Sequence, residues 1–131
     1  MDPKHKTLES IDLSYCTVLD KDFSGIEFQG AKFSNARFER VDFSKCSFSH
    51  CHMENTRFTD CKMTQIELDN CSMFGVEFID CQLDGSEFSY CGMNQSGFIH
   101  SSLDKAVLAH CDTDGMMRYG QANLEMVEQT M

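Results

Sequence analysis

The stretch that decides the fold is AKFSNARFERVDFSKCSFSH, residues 31–50. Phenylalanine stands at every fifth position in it, from Phe33 to Phe48, and a small or middle-sized residue stands two positions before each one. The same spacing runs from Leu8 to Leu108 without a slip. Each of these positions is Leu, Val, Phe or Met, and together they hold ten of the 11 Phe of the chain. The chain is therefore a repeat, and its period is the first feature to interpret.

A period of five fits neither the 3.6-residue turn of a helix nor the strict alternation of a strand. It fits a chain in which two residues of every five point inward, one large and apolar, the other smaller. The remaining three are mostly polar, and Gly, Asn, Asp, Lys and His are frequent at the last of them. That last position would be a corner, and four such sides would close a square coil of 20 residues.

Several five-residue units carry a recognisable pattern: VDFSK, IEFQG, VEFID and AKFSN. They resemble the repeat of the pentapeptide-repeat family, which reads small, polar, Leu or Phe, polar, and then often Gly. The resemblance covers residues 6–112. It implies an all-β fold, a right-handed quadrilateral parallel β-helix of about five coils.

The two ends of the chain depart from the repeat. We assign residues 8–115 to the β-helix and residues 1–7 to an N-terminal cap or a loose segment. The repeat breaks at Thr113, where a large apolar residue is due, and residues 116–131 are predicted to form a short C-terminal α-helix. This helix would cover the last coil or join two chains in a homodimer. The residues predicted to form its apolar face are Leu124, Val127 and Met131.

All eight Cys fall at the smaller inward position. Four of them, spaced by 20 from Cys51 to Cys111, would stack on successive coils. His50 and His52 would point outward, away from Cys51, so these three side chains could not share one tetrahedral zinc ion. Parallel side chains also keep the β-carbons of stacked Cys too far apart for an unstrained disulfide. We therefore expect buried free thiols, without a metal or another cofactor.

The chain carries 21 Asp and Glu against 11 Lys and Arg, a formal net charge of -10. This charge argues against nucleic acid or an anionic membrane as the partner. There is no run of 18 apolar residues and no secretory signal pattern at the N-terminus. Eight Cys in such a chain suggest a reducing compartment, so we expect a cytoplasmic protein.

The outward residues suggest two surfaces. Between residues 63 and 104 there are seven acids and neither Lys nor Arg. This acidic patch is either an ordinary solvated face or a binding surface. Three apolar residues also stand where polar ones are expected, and they either contact a partner or lie under the C-terminal helix. The candidate protein-binding residues are Glu67, Asp69, Glu87, Asp84, Asp104, Phe74, Ile79 and Ile99.

No catalytic motif is found, and a convex rod lacks the cleft that catalysis usually needs. The favoured function is a non-catalytic protein-interaction module with a partner protein of unknown identity, acting as a monomer or homodimer. The resemblance implies an alternative, a DNA mimic that binds a type II topoisomerase such as gyrase. A further alternative is the interaction portion of a bacterial effector.

Overall fold

The structure is a computed structural model, and it describes residues 6–120 and 124–126. All regular secondary structure in this part of the chain is β. The odd-numbered strands are β1 (Lys6–Glu9), β3 (Ile26–Gln29), β5 (Ser47–Ser49), β7 (Glu67–Asp69), β9 (Glu87–Ser89), β11 (Ala106–Ala109) and β13 (Leu124–Met126). The even-numbered strands are β2 (Thr17–Leu19), β4 (Arg37–Glu39), β6 (Arg57–Thr59), β8 (Glu77–Ile79), β10 (Gly97–Ile99) and β12 (Met117–Tyr119).

The strands form two parallel sheets that occupy two sides of a coiled chain. The odd-strand sheet contains the odd-numbered strands in chain order, and the even-strand sheet contains the even-numbered ones. Residues 20 apart are Cα partners up to β12, as for Phe38 and Phe58. The other two sides are ladders of single parallel bridges, which include those from Lys32 to His52 and from Lys62 to Gln82. The predicted parallel β-helix is confirmed, but it has about six turns instead of the predicted five, because the coils continue past Thr113.

The core is built from the inward columns that the five-residue spacing predicts. Phe38, Phe58, Phe78 and Phe98 stack along the axis with ring centroids 5.1–5.3 Å apart and nearly parallel planes. Rings from neighbouring sides meet edge to face, as Phe43 and Phe58 do at 5.6 Å. Both arrangements are favourable for aromatic pairs. The large inward residues of the central coils are almost completely removed from solvent.

The corners have a left-handed backbone. Every fifth residue from Ser10 to Gly120 has a positive φ, and 17 of these residues are not glycine. An L-residue loses roughly 1–2 kcal/mol in this conformation. Each corner from Ser10 to His100 also donates its backbone N–H to the next coil, as Asn35 does to the Glu54 carbonyl at 2.9 Å and His50 does to the Asp69 carbonyl at 3.0 Å. These hydrogen bonds offset the conformational cost.

The thiols are free, and seven of the eight are buried, Cys16 being half-buried. Each buried thiol donates to a carbonyl of the preceding coil, as Cys71 does to Phe48 at 3.3 Å. Thr56 and Ser101 occupy the same kind of position and bond in the same way, but Ala36 and Val41 occupy it too, so the position requires a small or middle-sized side chain and not a donor. Burial raises the pKa of the Cys46 thiol to about 12. Such a thiol stays protonated and unreactive at neutral pH.

The prediction of a C-terminal helix over residues 116–131 is wrong in the part that the structure describes. Met117–Tyr119 forms β12, which pairs with β10, and Leu124–Met126 forms β13, which pairs with β11. An isolated helix of this length is marginal, whereas the edge of the preceding coil offers partners for the backbone. Val127 and Met131 lie outside the described residues.

Candidate functional site

The structure brings two of the three predicted apolar residues together. Ile79 and Ile99 are Cα partners at the ends of β8 and β10, and both are half-buried. Phe74 is 50% exposed, but it precedes the corner at Gly75 and therefore lies on the neighbouring side of the coil. Phe74 therefore does not extend the surface that the two isoleucines form.

Two residues that the sequence analysis did not select complete this surface. Tyr119 is the Cα partner of Ile99, and Met117 is the Cα partner of Gly97. Tyr119 is 53% exposed and Met117 42% exposed. The 20-residue offset from Ile99 could have identified Tyr119, had the repeat been continued past Thr113. We call Ile79, Ile99, Met117 and Tyr119 the apolar stripe.

Gly97, which has no side chain, lies beside the apolar stripe and is buried. Gly97 occupies an outward position of β10, between Glu77 and Met117 in register. A side chain at this position would meet little, because the nearest heavy atom to an added Cβ is the Met117 carbonyl oxygen at 3.8 Å. Gly97 therefore interrupts the row of outward side chains between Glu77 and Met117.

The predicted acidic residues lie on two adjacent sides. Glu67 and Glu87 are Cα partners on the odd-strand sheet, and Asp69 lies in register with Ser89. All three acids are exposed and line a shallow groove of about 440 Å³. Like charges directly opposite each other on neighbouring strands are destabilising. Neither Lys nor Arg is among the residues that line this groove, so its charge is negative.

Asp84 and Asp104 stack at the corner before the odd-strand sheet. One carboxylate oxygen of Asp84 accepts the backbone N–H of Asp104 at 2.8 Å. The other accepts the Ser102 hydroxyl at 3.3 Å. The carboxylate of Asp84 thus connects two coils, and its contacts are structural. Asp104 is exposed.

The even-strand sheet also carries a polar groove that the sequence analysis missed. Its volume is about 390 Å³. The residues that line it are Tyr15, Asn35, Arg37, Asn55, Arg57, Gly75 and Glu77. Arg37 and Arg57 are Cα partners on neighbouring strands, and Arg57 forms an ion pair with Glu77 at 3.0 Å.

No cofactor site emerges from the described residues. Within residues 6–120 and 124–126, no group of three or more His, Cys, Asp or Glu side chains is placed to hold a metal ion. No helix in that part of the chain has the length and apolar character needed to cross a membrane. Tyr90 and His110 stack with ring centroids 4.8 Å apart at one corner.

A sequence model described as a pentapeptide repeat region matches residues 21–88, just over half of the chain. The chain belongs to the pentapeptide-repeat family. The search of curated proteins found no match. The family places this chain among solenoids whose outward side chains, rather than their fold, determine function.

Solved pentapeptide-repeat proteins share the fold at low sequence identity. Rfr23 from the cyanobacterium Cyanothece 51142 is 11% identical with a TM-score of 0.72, over 91% of each chain. HetL, involved in heterocyst differentiation regulation in the cyanobacterium Nostoc sp. strain PCC 7120, is 13% identical with a TM-score of 0.52, over 86% of this chain and 62% of HetL. A pentapeptide-repeat protein from the Arabidopsis thaliana thylakoid lumen is 16% identical with a TM-score of 0.50, over 72% of this chain and 66% of the other.

Proposed function

We propose that this pentapeptide-repeat protein is a non-catalytic interaction module that binds a partner protein through the apolar stripe. Proteins of this family are in general structural or interaction proteins. The observation that carries the proposal is the register of Ile79, Ile99 and Tyr119 on three successive even-numbered strands. Single exposed apolar residues are normal on a protein surface, whereas a continuous patch marks an interaction site.

The composition of the apolar stripe supports a protein partner. Tyr and Met are enriched at protein–protein interfaces, and charged residues are depleted from the centre of such interfaces. Strands on both sides hold Ile79 and Ile99 in place, so binding would cost little additional ordering of these two residues.

Site-specific photocrosslinking in cells that express the protein tests the proposal. We expect a photoreactive phenylalanine analogue at position 119 to give a discrete adduct, and Ile99→Asp to abolish it. The same analogue at position 49, on the odd-strand sheet, is the control for a non-specific adduct. Adducts that are equal at both positions, or that persist with Ile99→Asp, would contradict the proposal. Light scattering on the purified chain shows whether the partner is a second copy.

The gyrase-binding hypothesis rests on a different surface. Glu67 and Glu87 in register on the odd-strand sheet are the observation that favours it. B-DNA carries one charge per ~1.7 Å of axis, whereas this row carries one Glu per coil spacing of ~4.8 Å. The lower charge density of the row weakens the resemblance to DNA. A gyrase supercoiling assay with the wild-type chain and with the double variant Glu67→Lys, Glu87→Lys tests it. Supercoiling that is the same with and without the wild-type chain would remove this hypothesis.

A further inference from the structure

We propose that the polar groove on the even-strand sheet binds a carboxylate side chain of the partner protein, with Arg37 and Arg57 as the recognising groups. The inference rests on the proposed function, because the groove and the apolar stripe share one side of the solenoid. It adds the chemistry of the partner: an acidic residue beside an apolar segment.

The two guanidinium groups of the groove differ in whether they have a partner within the described part of the chain. Arg57 is bonded to Glu77, with 3.1 Å from Nε and 3.0 Å from Nη2 to the same carboxylate oxygen. Across residues 6–120 and 124–126, Arg37 has neither a hydrogen bond from its side chain nor an ion pair. Like charges in register on adjacent strands repel, so an anion between Arg37 and Arg57 would relieve this repulsion.

Side-chain amides complete the donor set. Asn35 and Asn55 occupy successive corners beside Arg37 and Arg57, and both line the groove. Within the described part of the chain their amides make no hydrogen bond. Each amide can donate two hydrogen bonds, and each guanidinium five. The groove therefore has several free donors in a small volume, whereas its one carboxylate is already paired with Arg57.

The ion pair between Arg57 and Glu77 indicates the class of ligand. A guanidinium matches a planar carboxylate, and here Arg57 already holds one from its own chain. Arg40 is the contrasting case: its guanidinium is bonded to Asp20 at 2.7 Å and 3.3 Å, so both carboxylate oxygens are used. We infer that Glu77 competes internally for Arg57 and that an acidic side chain of the partner bridges both arginines.

The uneven distribution of charge over the chain makes this site selective for an acidic ligand. With a net charge of -10, most of the surface repels an acidic ligand. Charges farther away than about 8 Å are largely screened at physiological salt, so local groups decide binding. An acidic segment is therefore excluded from the odd-strand sheet, which carries Glu67 and Glu87, and is accepted at the arginine pair.

Titration of the full-length chain with a hexaglutamate peptide at 0.15 M salt tests the inference, with the Arg Nε–Hε NMR signals as the readout. We expect the signals of Arg37 and Arg57 to shift and that of Arg40 to stay. Arg37→Gln should weaken binding about tenfold, the effect of losing a charged hydrogen bond. Arg40→Gln has the same charge change and should alter the affinity less than about twofold. Equal effects of the two variants would overturn the inference.

Glu77→Gln sharpens the experiment because it should strengthen binding. Removing the internal competitor leaves Arg57 free, and we expect an increase in affinity of several-fold. Glu87→Gln, on the odd-strand sheet, carries the same charge change and should have a much smaller effect. If Glu77→Gln weakens hexaglutamate binding, Glu77 positions Arg57 instead of competing with the ligand for it. The proposed competition would then be wrong. Inorganic phosphate that binds when hexaglutamate does not would overturn the carboxylate assignment.

The two proposals fail in distinguishable ways. Ile99→Asp should abolish the photocrosslinked adduct of the partner while hexaglutamate still shifts Arg37. If Arg37→Gln leaves the adduct at full yield and hexaglutamate shifts neither arginine, the carboxylate site is wrong and the apolar stripe stands. Circular dichroism of every variant at equal concentration checks that the fold is retained.

Discussion

The central coils and the end coils of this pentapeptide-repeat protein share one backbone but differ in their cores. In the centre, Phe58 is fully buried between Phe38 and Phe78, at 5.3 Å and 5.1 Å. In the first coil, Phe23 is only partly buried. In the last coil, Arg118 is exposed and stands in register with Phe98. The apolar columns thus fade at both ends of the described solenoid.

The backbone hydrogen bonds between coils persist at the C-terminal end, where the apolar core is reduced. Met117 donates its backbone N–H to the Ser96 carbonyl at 2.9 Å, and His100 donates to the Tyr119 carbonyl at 2.8 Å. These lengths match the bond from Arg57 to the Ala36 carbonyl in the centre, at 3.0 Å. An end coil can therefore form on the edge of its neighbour without a large apolar residue of its own. The central core stabilises the solenoid, and the end coils depend on it.

Phe58→Ala and Phe23→Ala test whether the central core contributes more to stability than the first coil does. The substitution leaves a cavity between two stacked rings, and we expect it to lower the free energy of unfolding by about 3–5 kcal/mol. Phe23→Ala should cost no more than about 2 kcal/mol, because less apolar surface of Phe23 is removed from water. Urea unfolding followed by circular dichroism measures both. Losses of equal size would show that the end coil contributes as much as the centre.

Gly75→Ala tests how far the corners tolerate a side chain. Gly75 has a φ of 70°, and an added Cβ would clash with Oδ1 of Asn55 on the preceding coil. We expect a loss of about 2 kcal/mol, from the left-handed backbone and from displacement of the Asn55 side chain. Gly30→Ala is the matched control, since its nearest neighbour is Ser10 Oγ at 3.6 Å, and it should cost about 1 kcal/mol.

A second variant separates the two causes at Gly75. In a background that carries Asn55→Gly, the clash is gone, and Gly75→Ala should cost only as much as Gly30→Ala does. The measurement is a double-mutant cycle in urea, with a coupling of about 1 kcal/mol expected. A coupling of zero would mean that the Asn55 side chain moves aside at no cost.

Much of the fold could be predicted because one period controls both core and corners. The spacing of Phe33, Phe38 and Phe43 specifies which residues point inward, and a left-handed residue at every fifth position turns the chain. The C-terminal coil could not be predicted in this way, because Thr113 and Arg118 interrupt the apolar columns. Backbone hydrogen bonds and the corners at Gly115 and Gly120 hold its register. Neither feature can be identified from the spacing of apolar residues.

The candidate surfaces were harder to predict than the core. Ile79 and Ile99 differ by one coil, so their stacking follows from the period alone. Phe74 was grouped with them because it also follows a large inward residue, but the corner at Gly75 places Phe74 on the neighbouring side of the coil. The pairing of Arg57 with Glu77 depends on side-chain rotamers, which the spacing of residues does not determine.

The thiols in the first coil and in the centre differ in burial, and their reactivity should show this difference. A thiol reagent on the native chain at pH 8 should modify Cys16, which is half-buried in the first coil, and leave the seven buried thiols intact. All eight should react after denaturation. Modification of Cys46 at the rate of Cys16 would contradict the burial of the central columns.

Alkaline pH should then lower stability through the buried Cys46 thiol. Burial raises the pKa of Cys46 to about 12, above the value of 9.0 for a free thiol. Its folded form therefore binds its proton more tightly than the unfolded chain does, and this stabilisation is complete below pH 9. It is lost as the pH rises from about 9 to 12, and by pH 10 the expected loss from this thiol is about 1 kcal/mol. Cys46→Ala should flatten the dependence of the urea midpoint on pH over that range, whereas Ser47→Ala, at the adjacent outward position, should leave the dependence as in the wild type. A dependence that is identical in the Cys46→Ala variant and the wild type would show that the thiol does not titrate with unfolding.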